Sequence, residues 1–524
     1  MKKPAYIFLL LSACLVFFAC KRDEATVWDI NALAPLATGQ ITWTDLVEDS
    51  LLEQDENGLL HIQYETDLFD LRLDTLVRLD DTTIFESFTP GFNGGPINIP
   101  AGVEVFSSED DLKLEVSSAE IYEVSIVSGL LTYTLESYVG GPLDITYDLP
   151  GVTLGNGTTL LLEASTETAS GDVPWVFTGT EDLANANLDL QGASGSSSNR
   201  IAALLDVVVS PSATEAVPVF GTDSVRITLN FQDVVIGYAR GYFGNRELDS
   251  NSEIDFSPFL ESFGTLDLQE LSIDVDIKNT IGADATFRLD RIEGVNNGSG
   301  VELTHSIIGD NINLTRALDN GNGQVTSNDY AFLIDETNSN ITTLVGSIPQ
   351  VLEVDAFVEM NPLGDISGGN DFIYTDQPFE ANLLMDLPLC LGTNGLTFKD
   401  SLNVAAFDTD LVADAELTFR ITNSFPLGLV SMDARFFSDL GEEFDVISDL
   451  SMETGTFLEL GNVTANTSES VQTISRADLD IMRQGGYIEL TLQMISSGEI
   501  VKMSGDEFID VDILMNGNIE LSYE

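Results

Sequence analysis

Apolar and polar residues alternate along much of this chain. Residues 271–278 read LSIDVDIK, in which every second residue is apolar. Successive side chains of a β-strand point to opposite faces, so a segment of this kind buries one face and exposes the other. The same period of two recurs in four further segments, at residues 225–231, 354–360, 415–421 and 488–494. We therefore expect strands with one solvent-facing side, as in antiparallel sheets.

Glycine, asparagine and proline clusters separate these segments, as at 140–142, 296–298 and 368–370, and such clusters mark turns. The pattern predicts an all-β protein with two or more antiparallel β-sandwich-like modules in an elongated arrangement. Helices are expected to be few and short. Ser475 and Asp478 fit an N-terminal capping pattern, and Gly485 fits a helix stop. Residues 338–345 predict a second short helix.

Three stretches share the order strand, polar or Gly/Pro corner, strand. They are residues 129–149, 271–292 and 415–436. The third, AELTFRITNSFPLGLVSMDARF, resembles the strand–Asn–Pro corner of LEA type-2-like sandwich domains. This resemblance implies that the chain passes from one sheet to the other at the corner. Three such copies would fit a row of related sandwiches, each with its own core.

The N-terminal residues have the features of a secretory signal peptide. Lys2 and Lys3 precede an apolar run over 5–19, which is shorter than the roughly 20 residues that a transmembrane helix needs. The run ends in Phe17-Phe18-Ala19-Cys20, and Phe17, Ala19 and Cys20 resemble the lipobox of bacterial lipoproteins. The resemblance implies cleavage after residue 19 and attachment of fatty acyl chains, such as palmitate, to Cys20. Two or three such chains anchor a protein durably to a membrane.

Charged residues follow Cys20 directly. Lys21, Asp23 and Glu24, with Arg22 among them, resemble the short export signal that directs lipoproteins of Bacteroidota to the cell surface. The resemblance implies an outer-membrane lipoprotein that faces the exterior, and Arg22 departs from the pattern. A periplasmic orientation stays open as the alternative, as does a solvated charged tether without a signal.

Composition shifts suggest a coarse division of the chain. Residues 1–19 form the signal peptide, and 20–40 form a lipidated tether. Residues 41–310 form a β-sandwich region of one or two modules, with a flexible stretch near 192–199, and 311–524 form a C-terminal β-sandwich region.

The chain is strongly acidic, with a formal net charge of −65. Such a field repels phosphate backbones and excludes nucleic acid as a partner. It also repels anionic lipid head groups, so the acyl chains would supply the membrane attachment. Apolar residues form 43% of the chain, which argues against a disordered acidic tail. Beyond Cys14 in the signal peptide and Cys20, only Cys390 remains. No intrachain disulfide is therefore expected, and Cys390 is expected to be a buried apolar residue.

Catalytic motifs are absent from the sequence. His61 and His305 are the two histidines, and neither belongs to a metal-binding or catalytic motif. No cofactor is expected. Oxygen-rich turns at Asp55 and Asn57, and at Asp319 and Asn322, are candidate calcium ligands. Because neither turn has EF-hand spacing, an ordinary polar turn is the favoured interpretation, and we expect no metal site.

These observations favour a non-enzymatic, lipid-anchored envelope protein that acts as a binding or scaffold surface, or as an adhesin-like module, for a protein partner. Two alternatives stay open. A sheet curled around an apolar groove could carry lipid or another hydrophobic ligand. A pair of carboxylates could also make the chain a carbohydrate-active enzyme.

Overall fold

A computed structural model of the chain describes residues 26–116, 119–167, 173–256, 262–321, 323–407, 412–448, 450, 456–459, 462–496 and 498–523. The signal peptide, Cys20, and the export-signal residues Lys21, Asp23 and Glu24 lie outside these residues, as does Asn322.

The first half of the chain folds almost entirely into strands. In chain order these are β1 (Thr26–Ile41), β2 (Leu52–Gln54), β3 (Leu60–Leu71), β4 (Thr82–Phe88), β5 (Ile97–Ile99), β6 (Glu104–Lys113), β7 (Glu120–Ser137), β8 (Leu143–Thr153), β9 (Thr159–Ser165), β10 (Trp175–Asp182), β11 (Asn187–Asp189), β12 (Arg200–Val209), β13 (Val217–Val219) and β14 (Val225–Tyr242). Two 3-10 turns, Trp43–Asp45 and Asp49–Leu51, and the short helix α1 (Leu73–Leu76) lie among them.

The second half continues with β15 (Arg246–Asp255), β16 (Leu266–Leu268), β17 (Ser272–Asn279), β18 (Ala285–Asn296), β19 (Ser299–Glu302), β20 (Ile312–Leu314), β21 (Leu318–Asp319), β22 (Val325–Thr326), β23 (Asn328–Asp335), β24 (Val351–Met360), β25 (Asp371–Tyr374) and β26 (Phe379–Pro388). The last ten strands are β27 (Cys390–Val404), β28 (Val412–Asn423), β29 (Gly428–Ser438), β30 (Glu443–Ile447), β31 (Thr456–Glu459), β32 (Asn462–Thr464), β33 (Asn466–Ile474), β34 (Gly486–Ile495), β35 (Val501–Lys502) and β36 (Ile509–Tyr523). The helices α2 (Ile341–Gly346) and α3 (Arg476–Met482) join strands in this half.

One sandwich is built from both ends of the described chain. Its first sheet has the order β1-β36-β28-β33, and its second has the order β16-β27-β34-β29-β30, with β35 paired to β27. The rings of Trp43, Phe398 and Phe425 pack together between the sheets, with Trp43 centroids 6.0 and 5.4 Å from the two phenylalanines. We call this the outer sandwich.

A second sandwich lies inside the first in sequence. Its sheets have the orders β2-β3-β26-β17-β23 and β15-β24-β18-β19, and β20 pairs with β18. Aromatic side chains join the layers: Tyr64 packs edge-on against Phe256 at 4.6 Å, and Phe69 packs against Phe287 at 6.4 Å. We call this the middle sandwich.

The third unit is nested inside the middle sandwich and consists mainly of β4 to β14. Its ten-stranded sheet has the order β25-β14-β7-β11-β8-β12-β6. Three further strands pair with members of this series: β4 with β14, β9 with β8, and β10 with β7. The sheet curls back on itself, because Leu79 and Val116 form a bridge close to β4 and β6. We call it the inner unit. Strand β25, which belongs to a loop of the middle sandwich, completes its edge.

These observations confirm an all-β fold of antiparallel modules with a few short helices. The segments predicted from alternation lie in β14, β17, β24, β28 and β34. Ser475 caps α3, since its hydroxyl accepts the Asp478 amide at 3.2 Å, and Gly485 has a φ of +97° after the helix. In the described part of the chain, none of the helices has the length and hydropathy of a membrane span.

Two of the three predicted corners carry the chain from one sheet to the other. Asn423 is the last residue of β28. Its side-chain oxygen accepts the Phe425 amide at 2.9 Å, and the chain continues into β29 of the facing sheet. Asn279 acts in the same way between β17 and β18, where its oxygen accepts the Ile281 amide at 3.0 Å. Both asparagines are buried. The asparagine side chain thus gives a hydrogen-bond acceptor to a buried backbone amide at the point where pairing with the neighbouring strand ends.

The sheet pairing differs from the division expected from composition. Residues 26–40, expected to be tether, lie in β1, which pairs with β36 along its length. The boundary expected after residue 310 falls inside the middle sandwich, because β18, which precedes this position, pairs with β20, which follows it. Residues 192–199 join β11 to β12 within the inner unit, and the Ala193 amide donates to Asp111 at 2.7 Å. These boundaries depend on which strands pair over long sequence distances, and the composition of a segment carries no information about its pairing partner.

Candidate functional site

One face of the inner unit gathers aromatic, charged and amide side chains on five neighbouring strands. Residues directly opposite each other across β25, β14, β7, β11 and β8 form a first row: Tyr374, Tyr238, Ser125, Asn187 and Thr153. A second row, two residues along, consists of Phe372, Arg240, Glu123 and Asp189. We call these two rows the tyrosine–arginine face.

Strand alternation explains why the side chains of the two rows face outward, with the exception of Phe372, which is buried. Ala239 lies between Tyr238 and Arg240 on β14 and is fully buried. Val124 lies between Glu123 and Ser125 on β7 and is also buried. The core therefore fixes the orientation of the rows, because a slip of one residue would expose these apolar side chains.

The two tyrosines form a pair at one end of the face. Their ring centroids lie 4.6 Å apart at an interplanar angle of 42°, and both side chains are partly exposed. The Tyr374 hydroxyl donates to Asp319 Oδ1 at 3.1 Å. Burial and the Asp319 carboxylate raise the pKa of Tyr374 to about 12. Burial, then Glu123 and Asp319, raise the pKa of Tyr238 as well. Both phenols are therefore neutral at physiological pH and able to donate.

Charged and amide groups lie in the centre of the face. Arg240 donates from Nε and Nη2 to Glu123 Oε2, at 3.0 and 2.9 Å, and the two side chains are 28% and 42% exposed. The Ser125 hydroxyl donates to Asn187 Oδ1 at 2.5 Å. These bonds hold the polar groups in defined positions while leaving them accessible to solvent.

A cleft of about 340 Å³ opens on this part of the face. Its wall residues are Tyr122, Glu123, Pro150, Gly151, Thr153, Asn187, Leu188, Asp189, Gln191 and Arg240. The volume lies at the lower end of the range of small-molecule sites. The lining is mostly polar, so the cleft is suited to a ligand that carries many hydrogen-bonding groups.

A buried polar cluster positions β25, which contributes Tyr374. Asp371 is 1% exposed. Its Oδ2 accepts from Asn361 Nδ2 at 2.8 Å, and its Oδ1 accepts from Arg316 Nη2 at 3.3 Å. At the other end of β25, the Thr375 hydroxyl donates to the Ile236 carbonyl at 2.6 Å. The strand is thus held to the middle sandwich at its first residue and to the inner unit just after its last.

Two further clefts have a different character. One, of about 450 Å³, is lined by Ser107, Ser108, Glu109, Thr146, Asp148, Leu204, Leu205 and Asp206. The other, of about 400 Å³, is lined by Arg72, Asp74, Val77, Arg78, Leu79, Val234, Val235, Ile236 and Thr375. Neither lining includes an aromatic side chain, so the tyrosine–arginine face differs from both in offering ring surfaces beside polar groups.

Three of the four calcium candidates, Asp55, Asn57 and Asp319, lie among the described residues and take part in hydrogen bonds of their own turns. Asp55 Oδ1 accepts the amides of Asn57 and Leu59, each at 2.8 Å. Asp319 Oδ1 accepts the Gly321 amide at 2.8 Å and also the Tyr374 hydroxyl. Among the described residues, no group of three or more His, Cys, Asp or Glu side chains is arranged to hold a metal ion. The structure brings Asp319 to the tyrosine–arginine face and leaves Asp55 and Asn57 far from it in the fold, beside β3.

The histidines and the cysteine lie elsewhere. His61 Nδ1 contacts Asp386 Oδ1 at 2.9 Å on the outward side of β3, as alternation predicts. His305 Nδ1 accepts the Ile307 amide at 3.3 Å in a turn. Cys390 is 3% exposed, which confirms its expected burial.

Sequence reasoning did not single out Tyr238, Arg240, Glu123 or Tyr374. The local signal was present, since Tyr238-Ala239-Arg240 places an aromatic and a cation on the exposed side of a strand. The neighbours that make it a site come from residues 123–125, 187–189 and 371–374. Their approach depends on strand pairing over long sequence distances.

Comparison with known proteins gives little further information. No family model matches the chain, and no curated protein matches it. Among solved structures, a protein of Parabacteroides distasonis ATCC 8503 described as secreted aligns at 14% identity and a TM-score of 0.27, over 52% of this chain and 82% of its own. The VP2 subviral particle of infectious bursal disease virus aligns at 9% identity and a TM-score of 0.12, over 95% of this chain and 83% of its own. TM-scores this far below 0.5 do not indicate a common fold.

Proposed function

We propose that this chain is a lipid-anchored protein of the bacterial outer membrane, facing the cell exterior, that binds a partner non-enzymatically. The N-terminal pattern supports this proposal, with a signal peptide, Cys20 after the lipobox-like residues, and the charged residues that follow. The acyl chains at Cys20 hold the protein at the membrane. The β-modules present a binding surface away from it.

The tyrosine–arginine face is the binding surface in this proposal. The supporting observation is the alignment of two tyrosines, an Arg–Glu pair and three amide or hydroxyl groups in adjacent rows on one sheet face. The groups are held by hydrogen bonds before any ligand arrives, which lowers the entropy lost on binding. Exposed aromatic and arginine side chains are also the residues that most often dominate binding energy.

A binding role fits this face better than catalysis. Arg240 engages Glu123 in an ion pair at 2.9 Å, so this carboxylate already serves as the acceptor that holds the guanidinium in place. The interior of the sandwiches is filled by buried side chains such as Trp43, Phe398 and Phe425, which leaves that space to packing rather than to a lipid.

Membrane attachment is tested by fractionation of cells that produce the wild type or Cys20→Ser. We expect the wild type in the outer-membrane fraction with acyl mass on its N-terminal peptide, and the variant in the soluble fraction. Protease added to intact cells should cleave the wild type. Membrane retention of Cys20→Ser would contradict lipid attachment, and full protection from protease would place the protein on the periplasmic side.

The binding surface is tested by cross-linking in intact cells. Tyr238→Ala and Arg240→Ala should each remove the cross-linked species that the wild type forms. Tyr487→Ala is the control, because Tyr487 stacks on Phe437 at 4.7 Å on a different module and is similarly exposed. An unchanged cross-linking pattern in both face variants would contradict a binding role for this face.

A further inference from the structure

We infer that the ligand of the tyrosine–arginine face is a neutral glycan, bound along the row that crosses the strands. This inference rests on the proposed binding function and specifies the class of ligand. It draws on three properties of the face: its length, the chemistry of its groups and its charge.

The first row is long enough for several sugar rings. Tyr374, Tyr238, Ser125, Asn187 and Thr153 lie on five consecutive strands. Neighbouring strands are about 4.8 Å apart, so the row extends over roughly 19 Å. A ligand along this row must be extended and relatively flat, since the face is a sheet surface with a shallow cleft at its centre.

The tyrosine pair provides an apolar platform at one end of the row. A pyranose ring carries C–H groups on one face and hydroxyls around its rim. The rings of Tyr238 and Tyr374 lie 4.6 Å apart at an interplanar angle of 42°, so they pack partly against each other. The ring surface that stays exposed can contact those C–H groups. Their orientation is fixed, because Tyr374 is hydrogen-bonded to Asp319 at 3.1 Å and its strand is held by the buried Asp371.

The rest of the face supplies both donors and acceptors. Arg240 and the amide of Asn187 can donate, while Glu123 and Asp189 accept. A sugar hydroxyl both donates and accepts, so a row of hydroxyls is satisfied by mixed groups of this kind. A peptide strand or a lipid chain presents no comparable series of hydroxyls along one line.

The negative charge of the face favours a neutral glycan over an anionic one. The face carries the carboxylates of Glu123, Asp189 and Asp319 beside the single guanidinium of Arg240, which is already paired with Glu123. The chain as a whole has a formal net charge of −65. Sulfated or uronic-acid polymers would therefore be repelled.

The test uses purified protein that lacks the signal peptide and carries Cys20→Ser. Its migration is measured in native gels that contain laminarin, yeast mannan, xyloglucan or dextran, with polygalacturonate as the anionic comparison. We expect retardation by at least one neutral polymer and none by polygalacturonate. For the polymer that binds, Tyr238→Ala and Tyr374→Ala should each weaken binding by roughly tenfold, as expected for loss of a stacked ring.

Two further variants separate this role from structural damage. Tyr374→Phe keeps the ring and loses the bond to Asp319, so it should bind more tightly than Tyr374→Ala. Tyr487→Ala should bind as the wild type does. Circular dichroism melting verifies that each variant is folded.

Failure of the glycan inference differs from failure of the proposed function. Absence of retardation by every neutral polymer, or equal retardation of the wild type and Tyr238→Ala, overturns the glycan. If cross-linking in cells still depended on Tyr238 and the cross-linked species were destroyed by protease digestion of the partner, the face would bind a protein instead. If neither retardation by a neutral polymer nor Tyr238-dependent cross-linking were observed, the proposed binding function of this face would be wrong.

Discussion

Trp43 and Glu507, separated by 464 positions in sequence, are joined by a hydrogen bond from the indole Nε1 to the carboxyl Oε2 at 3.3 Å. Both side chains are about 2% exposed. The Ser504 amide also donates to the Glu507 carboxyl, at 2.7 Å. Trp43 follows β1 and Glu507 precedes β36, so this contact links the two ends that build the outer sandwich. Burying a carboxyl at this position makes the module sensitive to pH.

The stability of the outer sandwich should fall as pH rises from about 5 to 8. Burial is the largest cause that raises the pKa of Glu507, from an ordinary 4.5 to about 7. Below pH 4.5 the carboxyl is neutral in both states. Between 4.5 and 7 the folded state binds a proton that the unfolded state releases, so stability declines, by about 3 kcal/mol in total. Glu507→Gln should remove this loss, so its melting temperature should exceed that of the wild type at pH 8 more than at pH 5.

The control for Glu507 is Glu499→Gln, because Glu499 is exposed in the same segment. We expect it to melt like the wild type at both pH values. Equal pH dependence in the wild type and Glu507→Gln would show that this carboxyl is not the sensitive group.

Gly241→Ala should destabilise the inner unit near the tyrosine–arginine face. An added Cβ would lie 2.2 Å from the Glu120 carbonyl oxygen and 2.7 Å from the Ile121 Cα, where β7 and β14 have a bulge. Backbone atoms on the partner strand cannot move away without disturbing the ladder, so we expect a loss of about 1–3 kcal/mol in unfolding free energy. Urea denaturation measures it. Gly140→Ala is the matched control, since no heavy atom lies within 4 Å of its Cβ position.

Asp371→Ala should loosen β25, because it removes the bonds that hold this strand to the middle sandwich. The substitution removes the buried acceptor of Arg316 and Asn361, each of which keeps a hydrogen bond to a backbone carbonyl, so we expect a loss of about 1–3 kcal/mol in unfolding free energy. Hydrogen exchange should accelerate at residues 371–374 and at their partners 238–241. Asp376→Ala, which changes an exposed carboxylate in the same loop, should leave the exchange unchanged. Unaltered exchange in Asp371→Ala would contradict a positioning role for this cluster.

Cys390 should be unreactive in the folded protein. Burial raises the pKa of its thiol, so little thiolate forms, and 3% exposure limits access to reagents. In purified Cys20→Ser protein without its signal peptide, Ellman's reagent should modify this thiol only after unfolding in guanidinium chloride. Rapid modification of the native protein at pH 8 would contradict the packing of β27.

The sequence predicted the local elements of this fold well, because their signals are local. Alternation identified strands such as β17, and the Ser475 hydroxyl and Gly485 marked the two ends of α3. The corners at Asn279 and Asn423 were visible for the same reason, since each asparagine caps its own turn.

The nesting and the candidate site could not be predicted in this way. Nothing near Thr26 indicates that β1 pairs with β36, and nothing near Tyr374 indicates that β25 leaves the middle sandwich to join Tyr238 on β14. Alternation states which side of a strand is buried and does not state which strand lies beside it. The tyrosine–arginine face depends on the second kind of information.

The pairing of β1 with β36 has a consequence for biogenesis. Synthesis delivers β1 before β36, so the sheet that contains β1 stays incomplete until residues 509–523 have been made. A strand waiting for its neighbour exposes an edge that readily joins other chains. Products that terminate before β36 would therefore expose an unpaired edge of β1, and a chain truncated in this way should aggregate more readily than the full-length protein.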